Sequence, residues 1–185
     1  MILFINACMR GAEISRTYKL CLDFLNGREN TVIDLSKASP SYYTAEAIIE
    51  RDRIIDSGNL SLLQDAQKFA AAEEILIGAP YWDLSFPAAL KCYIEHICVR
   101  NVTFKATPTG TVGLCRAKRL TYITTAGGYI GENDHGTEYF RGLCKFFNIP
   151  EFQSFRAEGL DIEDNDTEAI MEQTTKKILG GNFKC

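Results

Sequence analysis

A three-layer α/β sandwich, with one parallel sheet covered by helices on both faces, is the fold that this 185-residue sequence predicts. Three observations carry that prediction. Short apolar runs alternate with amphipathic helical stretches in the order βαβ(α)βαβαβα. Several of the runs are continuously apolar, as strands buried on both faces are. Three loops rich in glycine, proline, aromatics or hydroxyls follow such runs, at the carboxyl edge where open α/β sheets hold ligands.

The elements follow in order. Ile2 to Ala7 reads as a short buried strand, and Thr17 to Asn26 as a helix with Leu20, Cys21 and Phe24 on one side and Gly27 near its stop. Thr31 to Leu35 is a second strand, and residues 36–43 form a hydroxyl-rich loop with Pro40. Residues 45–55 are helical, with Ile48, Ile49 and Ile55 as an apolar stripe that Gly58 and Asn59 break. Residues 62–72 form the next helix, and residues 74–79 the third strand. Residues 80–86 are an aromatic loop, and Pro87 suits the first position of a helix over residues 88–99. Residues 101–118 are irregular and compatible with a small hairpin. Residues 119–125 form the fourth strand, 127–136 a loop, 137–147 a helix ended by Asn148-Ile149-Pro150, and 152–156 the fifth strand. Residues 166–179 are a closing helix with Gly180 and Gly181 at its end. Five such strands fit the flavodoxin-like order 2-1-3-4-5. Residues 1–185 are read as one domain.

Composition narrows the function. The chain is 46% hydrophobic, enough for a substantial core, and its net charge is −4. Lys and Arg are dispersed, without the basic stripe that nucleic-acid binding shows. The seven cysteines are odd in number and contain no CxxC pair; Cys92 and Cys98 are too far apart for a zinc knuckle, so no metal site is expected. Reduced thiols in a cytoplasmic protein fit better than a disulfide framework. The first residues lack the basic segment of a signal peptide. No apolar run reaches the roughly 18 residues that a membrane span needs.

Three loops carry the candidate chemistry. The first, residues 8–17, contains Met9, Arg10, Ser15, Arg16 and Thr17 where a strand feeds a helix. Unpartnered first-turn N–H groups make such a place a phosphate site. Either arginine would add charge-assisted bonds, and Ser15 or Thr17 would donate to phosphate or cap the helix. Known phosphate loops are excluded: GxGxxG and Gly-Lys-Ser/Thr are absent, and a cysteine phosphatase would need arginine where Ile14 stands. The second loop, Pro80, Tyr81, Trp82, Asp83, Leu84, Ser85 and Phe86, offers an apolar wall for a flat ring such as an isoalloxazine. A backbone N–H near Asp83 or Leu84 would meet the ring's polar edge. Its alternative is a plug of Trp82 and Phe86 in the core. In the third loop, Thr125, Ala126, Gly127 and Gly128 let backbone approach a planar ligand, or simply turn. Tyr129 and His135 follow as candidate catalytic residues. His96 reads as a packing residue. Asp161, Glu163, Asp164 and Asp166 read as a hydrated run that caps the last helix.

At these loops the chain resembles the FMN-dependent NAD(P)H azoreductase and quinone reductase family. Residues 80–91 are similar to its Pro-aromatic-Asn-Phe-Ser-x-Pro-x-x-Leu-Lys segment, and Val102-Thr103-Phe104 to the Val-Thr-Phe that follows. Thr125-Ala126-Gly127-Gly128 is similar to its Ser-Arg-Gly-Gly loop, and Ser15-Arg16-Thr17 to its Ser-x-Ser loop. Asp83, Leu84 and Ala126 depart from the Asn, Phe and Arg of many members. The resemblance implies non-covalent FMN, reduced by NADH or NADPH and reoxidised by a quinone, azo or similar small aromatic acceptor. It also implies a homodimer, with the helix from Ala88 and the segment near Phe104 as candidate interfaces. A flavodoxin-type electron carrier and a non-enzymatic redox or interaction module of the same fold are the alternatives.

Overall fold

In a computed structural model, residues 1–38 and 40–181 are described. Ser39, inside the expected 36–43 loop, and residues 182–185, with Cys185, lie outside the described residues. The elements are β1 (Ile2–Asn6), α1 (Arg16–Leu25), β2 (Asn30–Asp34), α2 (Ala45–Ser57), a 3₁₀ turn (Leu60–Leu62), α3 (Gln64–Ala71) and β3 (Glu74–Gly78). Then come α4 (Ala88–Ile97), β4 (Phe104–Thr107), β5 (Gly110–Gly113), β6 (Arg119–Thr125), α5 (His135–Phe147), β7 (Glu151–Ala157) and α6 (Thr167–Gly181).

Five strands form one parallel sheet in the order β2-β1-β3-β6-β7, the expected 2-1-3-4-5 once the hairpin is set aside. The inner strand β1 is buried along its whole length, whereas β2 and β7 at the edges are partly exposed. The period-2 alternation of side chains divides the core between two faces. Leu3, Ile5, Ile75, Ile77 and Tyr122 pack with Phe69 of α3, Tyr93 of α4 and Phe140 of α5. Phe4, Leu76 and Ile123 pack on the other face with Leu20 and Phe24 of α1 and Ile178 of α6. The order reverses between β1 and β3, so the loops leaving those strands flank a crevice at the carboxyl edge.

The irregular 101–118 stretch does contain a hairpin: β4 and β5 pair antiparallel. It lies against the end of α5 so closely that a Cβ on Gly113 would stand 2.0 Å from the Phe147 carbonyl carbon. Several boundaries differ from the sequence reading. Pro87 is the N-cap of α4, with an extended ψ of 143°, and not its first helical residue. The 62–72 stretch divides at Leu63, whose ψ of 51° separates the 3₁₀ turn from α3. Asp134 caps α5 by accepting the Thr137 N–H at 2.8 Å, so the helix begins at His135 rather than Thr137. Helix α6 runs through both closing glycines to Gly181. No residue of α2 is buried, and Ile48 and Ile49 are exposed. No helix among the described residues is long and apolar enough to cross a membrane.

Candidate functional site

The loops after β1, β3 and β6 meet at one cleft of about 210 Å³ at the carboxyl edge of the sheet. Met9, Arg10, Ser15, Arg16 and Thr17 line it from the first loop; Pro80, Tyr81 and Trp82 from the second; Thr125, Ala126 and Gly127 from the third. Asp83, Leu84, Gly128, Tyr129 and His135 stand outside that lining.

The start of α1 supplies donors. The Ser15 hydroxyl accepts the Tyr18 N–H at 3.2 Å and is the helix N-cap. The Arg16 and Thr17 N–H groups in the first turn donate to no acceptor among the described residues. Thr17 Oγ1 and Thr125 Oγ1 share a buried hydrogen bond of 2.6 Å. That bond uses one of two hydroxyl hydrogens and leaves the other. Arg16 Nη1 donates to Asp161 Oδ1 at 2.6 Å, while Arg10 has no ion pair or hydrogen bond among the described residues. Cys8, at the start of this loop, is buried, and burial pushes its thiol up to about 12, against a lowering hydrogen bond from Ser15, which disfavours the thiolate.

The aromatic loop is a strained reversal. Trp82 N–H donates to Ser85 O at 3.2 Å and Ser85 N–H to Trp82 O at 2.8 Å. Asp83 and Leu84 between them have φ of 48° and 67°. This is the two-residue turn that glycine and asparagine favour, here held by an aspartate and a leucine. The Asp83 and Leu84 N–H groups donate to no acceptor among the described residues. Trp82 is 38% exposed, whereas Phe86 packs on Phe140 with ring centres 5.1 Å apart. The core-plug alternative is therefore true of Phe86 and not of Trp82. Tyr81 ties the loop down at both ends of its side of the cleft: its N–H donates to Thr125 O at 2.9 Å, its hydroxyl to Asn133 O at 3.0 Å.

Tyr129 is 68% exposed, and its hydroxyl accepts from Asn165 Nδ2 at 3.2 Å. His135 is exposed on the first turn of α5. His96 stacks on Tyr43 at 4.1 Å and bonds Ser41 O through Nε2 at 2.8 Å, a packing role as expected.

Three lining residues were missed as site residues. Ile14 enters the sequence reading only as the occupant of the phosphatase arginine position, and Leu160 and Asp161 come from the segment after β7. The acidic run there does not act as one unit. Asp166 accepts the Ala169 N–H at 3.0 Å and caps α6, but Asp161 faces the cleft and pairs with Arg16. The signal that could have found Asp161 is its place just beyond a fourth strand end at the same sheet edge.

Comparison with known proteins places the chain in a family and supports its fold. The model of a family described as having a flavodoxin-like fold matches residues 1–180. The FMN-dependent NADH:quinone oxidoreductase 2 of Clostridium acetobutylicum is 35% identical, across 95% of this chain and 94% of its own length. The FMN-dependent NADH:quinone oxidoreductase of a Clostridium perfringens strain is 32% identical, across 96% of each. Among solved structures, an azoreductase from Bacillus anthracis superposes with a TM-score of 0.83 at 23% identity, covering 100% of this chain and 99% of that one. An FMN-dependent NADH-azoreductase of the same species, in complex with FMN, gives 0.82 at 21% identity, covering 98% and 96%. These structures share the fold.

Proposed function

The chain belongs to the flavodoxin-like family of FMN-dependent NADH:quinone oxidoreductases, and on that premise we propose that it passes two electrons from NADH or NADPH through FMN to a quinone, azo or similar aromatic acceptor. The observation that carries the reading is the convergence of two kinds of unpaired donor on one cleft, the first-turn N–H groups of α1 and the Arg10 guanidinium. A third, the N–H groups of the Asp83-Leu84 reversal, follows Trp82 of the lining in the same loop.

The residues present fit the cofactor. A phosphate has the free N–H groups of Arg16 and Thr17, with the positive end of the helix dipole, as its seat. Arg10 adds charge, and the Thr17–Thr125 pair keeps one hydroxyl hydrogen for the arm. Trp82 walls the ring. The N–H groups of Asp83 and Leu84 would meet its polar edge, and Gly127 and Gly128 its pyrimidine side. FMN, when bound, would supply hydride acceptance from the nicotinamide and two-electron reduction of the acceptor, in a ping-pong cycle. Tyr129 and His135, exposed beyond the cleft, are assigned to the outer side where donor and acceptor would stack. At about 210 Å³ the cleft lies below the usual ~300–1,000 Å³ of small-molecule pockets, so a bound ring would extend beyond it.

That open side, the exposed Leu84 and the unburied α2 support a homodimer in which the partner covers the ring. Six free thiols among the described residues, Cys8, Cys21, Cys92, Cys98, Cys115 and Cys144, support a reducing, cytoplasmic setting. The test is oxygen-free titration of the FMN-loaded, desalted protein with NADH and then NADPH, followed by a quinone. Bleaching of the visible flavin band and its return on quinone addition support the reading. A band that neither nucleotide bleaches favours an electron carrier.

A further inference from the structure

The two arginines of the cleft stand in unequal situations. Arg16 is committed: its Nη1 lies 2.6 Å from Asp161 Oδ1, a contact between residues 145 apart that joins the start of α1 to the segment after β7. Arg10 lines the same cleft with no hydrogen bond or ion pair among the described residues.

Asp161 is firmly placed. The 159–161 segment is laced along the third loop by Gly159 N–H to Gly128 O at 2.9 Å, Leu160 N–H to Ala126 O at 3.2 Å and Asp161 N–H to Gly127 O at 2.9 Å. Its carboxylate covers Gly127 so closely that a Cβ there would lie 2.3 Å from Oδ2. A fixed carboxylate in an anion site repels the anion unless a cation neutralises it, and Arg16 does so here. An arginine that leaves a carboxylate for a phosphate exchanges one charge-assisted bond for another and gains little. Arg10 has no such bond to give up.

We propose that the Arg16–Asp161 pair is a latch across the cleft that sets how fast the flavin leaves, while Arg10 is the cation that distinguishes a phosphorylated flavin from an unphosphorylated one. The inference rests on the flavin reading above. Coulomb attraction to Arg10 acts on FMN and has nothing to act on in riboflavin. The latch joins two sides of the cleft whichever flavin it holds, so it retards both. Both partners of the pair are largely exposed, at 43% and 64%, so the latch opens readily and adds little to fold stability.

Equilibrium titration and stopped-flow release of FMN and of riboflavin test this on the full chain. The variants are Arg10→Gln, Asp161→Asn, Arg16→Gln and the Arg16→Gln/Asp161→Asn double variant. Arg10→Gln should weaken FMN about tenfold and leave riboflavin unchanged. Asp161→Asn and Arg16→Gln should each speed riboflavin release by roughly threefold, Arg16→Gln should speed FMN release further because Asp161 is then left bare, and the double variant should be no faster than Asp161→Asn alone. Tighter FMN binding by Asp161→Asn would show that the carboxylate merely repels, and would overturn the latch. So would an FMN-selective loss in Arg16→Gln with none in Arg10→Gln. Unmodified protein that binds neither flavin overturns the flavin reading itself, before any variant is compared.

Discussion

Thr17 and Thr125 meet hydroxyl to hydroxyl at 2.6 Å, across the carboxyl edge of the sheet, and so pin the start of α1 to the end of β6. The contact joins the first and third loops of the cleft. Both residues are buried, at 1% and 8% exposure.

Replacing Thr17 by Val keeps the shape and removes the bond, leaving Thr125 with a buried, unpaired hydroxyl. Thr17→Val should cost about 1–3 kcal/mol of stability. It should also weaken FMN, because the loops are no longer held in register. Urea unfolding of the flavin-free protein measures the first effect and a flavin titration the second. Loss of affinity without loss of stability would contradict the pinning role.

Trp82 lines the cleft, where it is the proposed wall of the ring, and is exposed enough to be dispensable to the core. Trp82→Ala should lower ring affinity or turnover while the thermal midpoint stays near that of the unmodified protein. Phe86→Ala should do the reverse, because Phe86 packs on Tyr139 and Phe140. Removing a packed phenylalanine costs up to about 3–5 kcal/mol. Equal effects of the two substitutions on melting would contradict the division between wall and core.

The Asp83-Leu84 reversal stores strain, since leucine at φ 67° is disfavoured. Leu84→Ala and Leu84→Gly both remove the side chain, but only glycine relieves the backbone. Leu84→Gly should be the more stable of the two by about 1 kcal/mol, opposite to the usual ranking. Its looser turn should reduce FMN more slowly with NADH. Denaturant midpoints and single-turnover reduction decide both points.

Alkaline stability should be set by buried thiols. Burial pushes Cys8 from 9.0 up to about 12, and Cys115 and Cys144 to about 12 as well. Such a thiol ionises more easily in the unfolded chain, so its stabilising contribution is full below about pH 9 and is lost as pH rises towards 12. The thermal midpoint should fall over that range, and Cys8→Ala should make the fall shallower. An unchanged slope in Cys8→Ala would contradict the burial account of that residue.

The sheet was legible because its strands are short apolar runs punctuated by Asn26-Gly27, Gly58 and Asn148, all of which adopt positive φ where helices stop. The first three cleft loops were legible for a related reason: each is an interruption of an apolar pattern by glycine, proline or hydroxyls. Asp161 was not, because its role is a contact with Arg16 across 145 residues, and no local pattern distinguishes it from the hydrated acids beside it. The start of α5 was misplaced because Asp134 caps the helix from within a polar stretch that reads as loop. Arg10 and Arg16 looked equivalent in sequence, and it is the carboxylate beside one of them that separates them.

The most direct measurement is anaerobic NADH titration of the protein loaded with FMN, with flavin stoichiometry taken from the visible band. The account predicts one FMN per chain, bleached by NADH or NADPH and restored by a quinone. Failure to retain FMN, or a retained band that neither nucleotide bleaches, would contradict it.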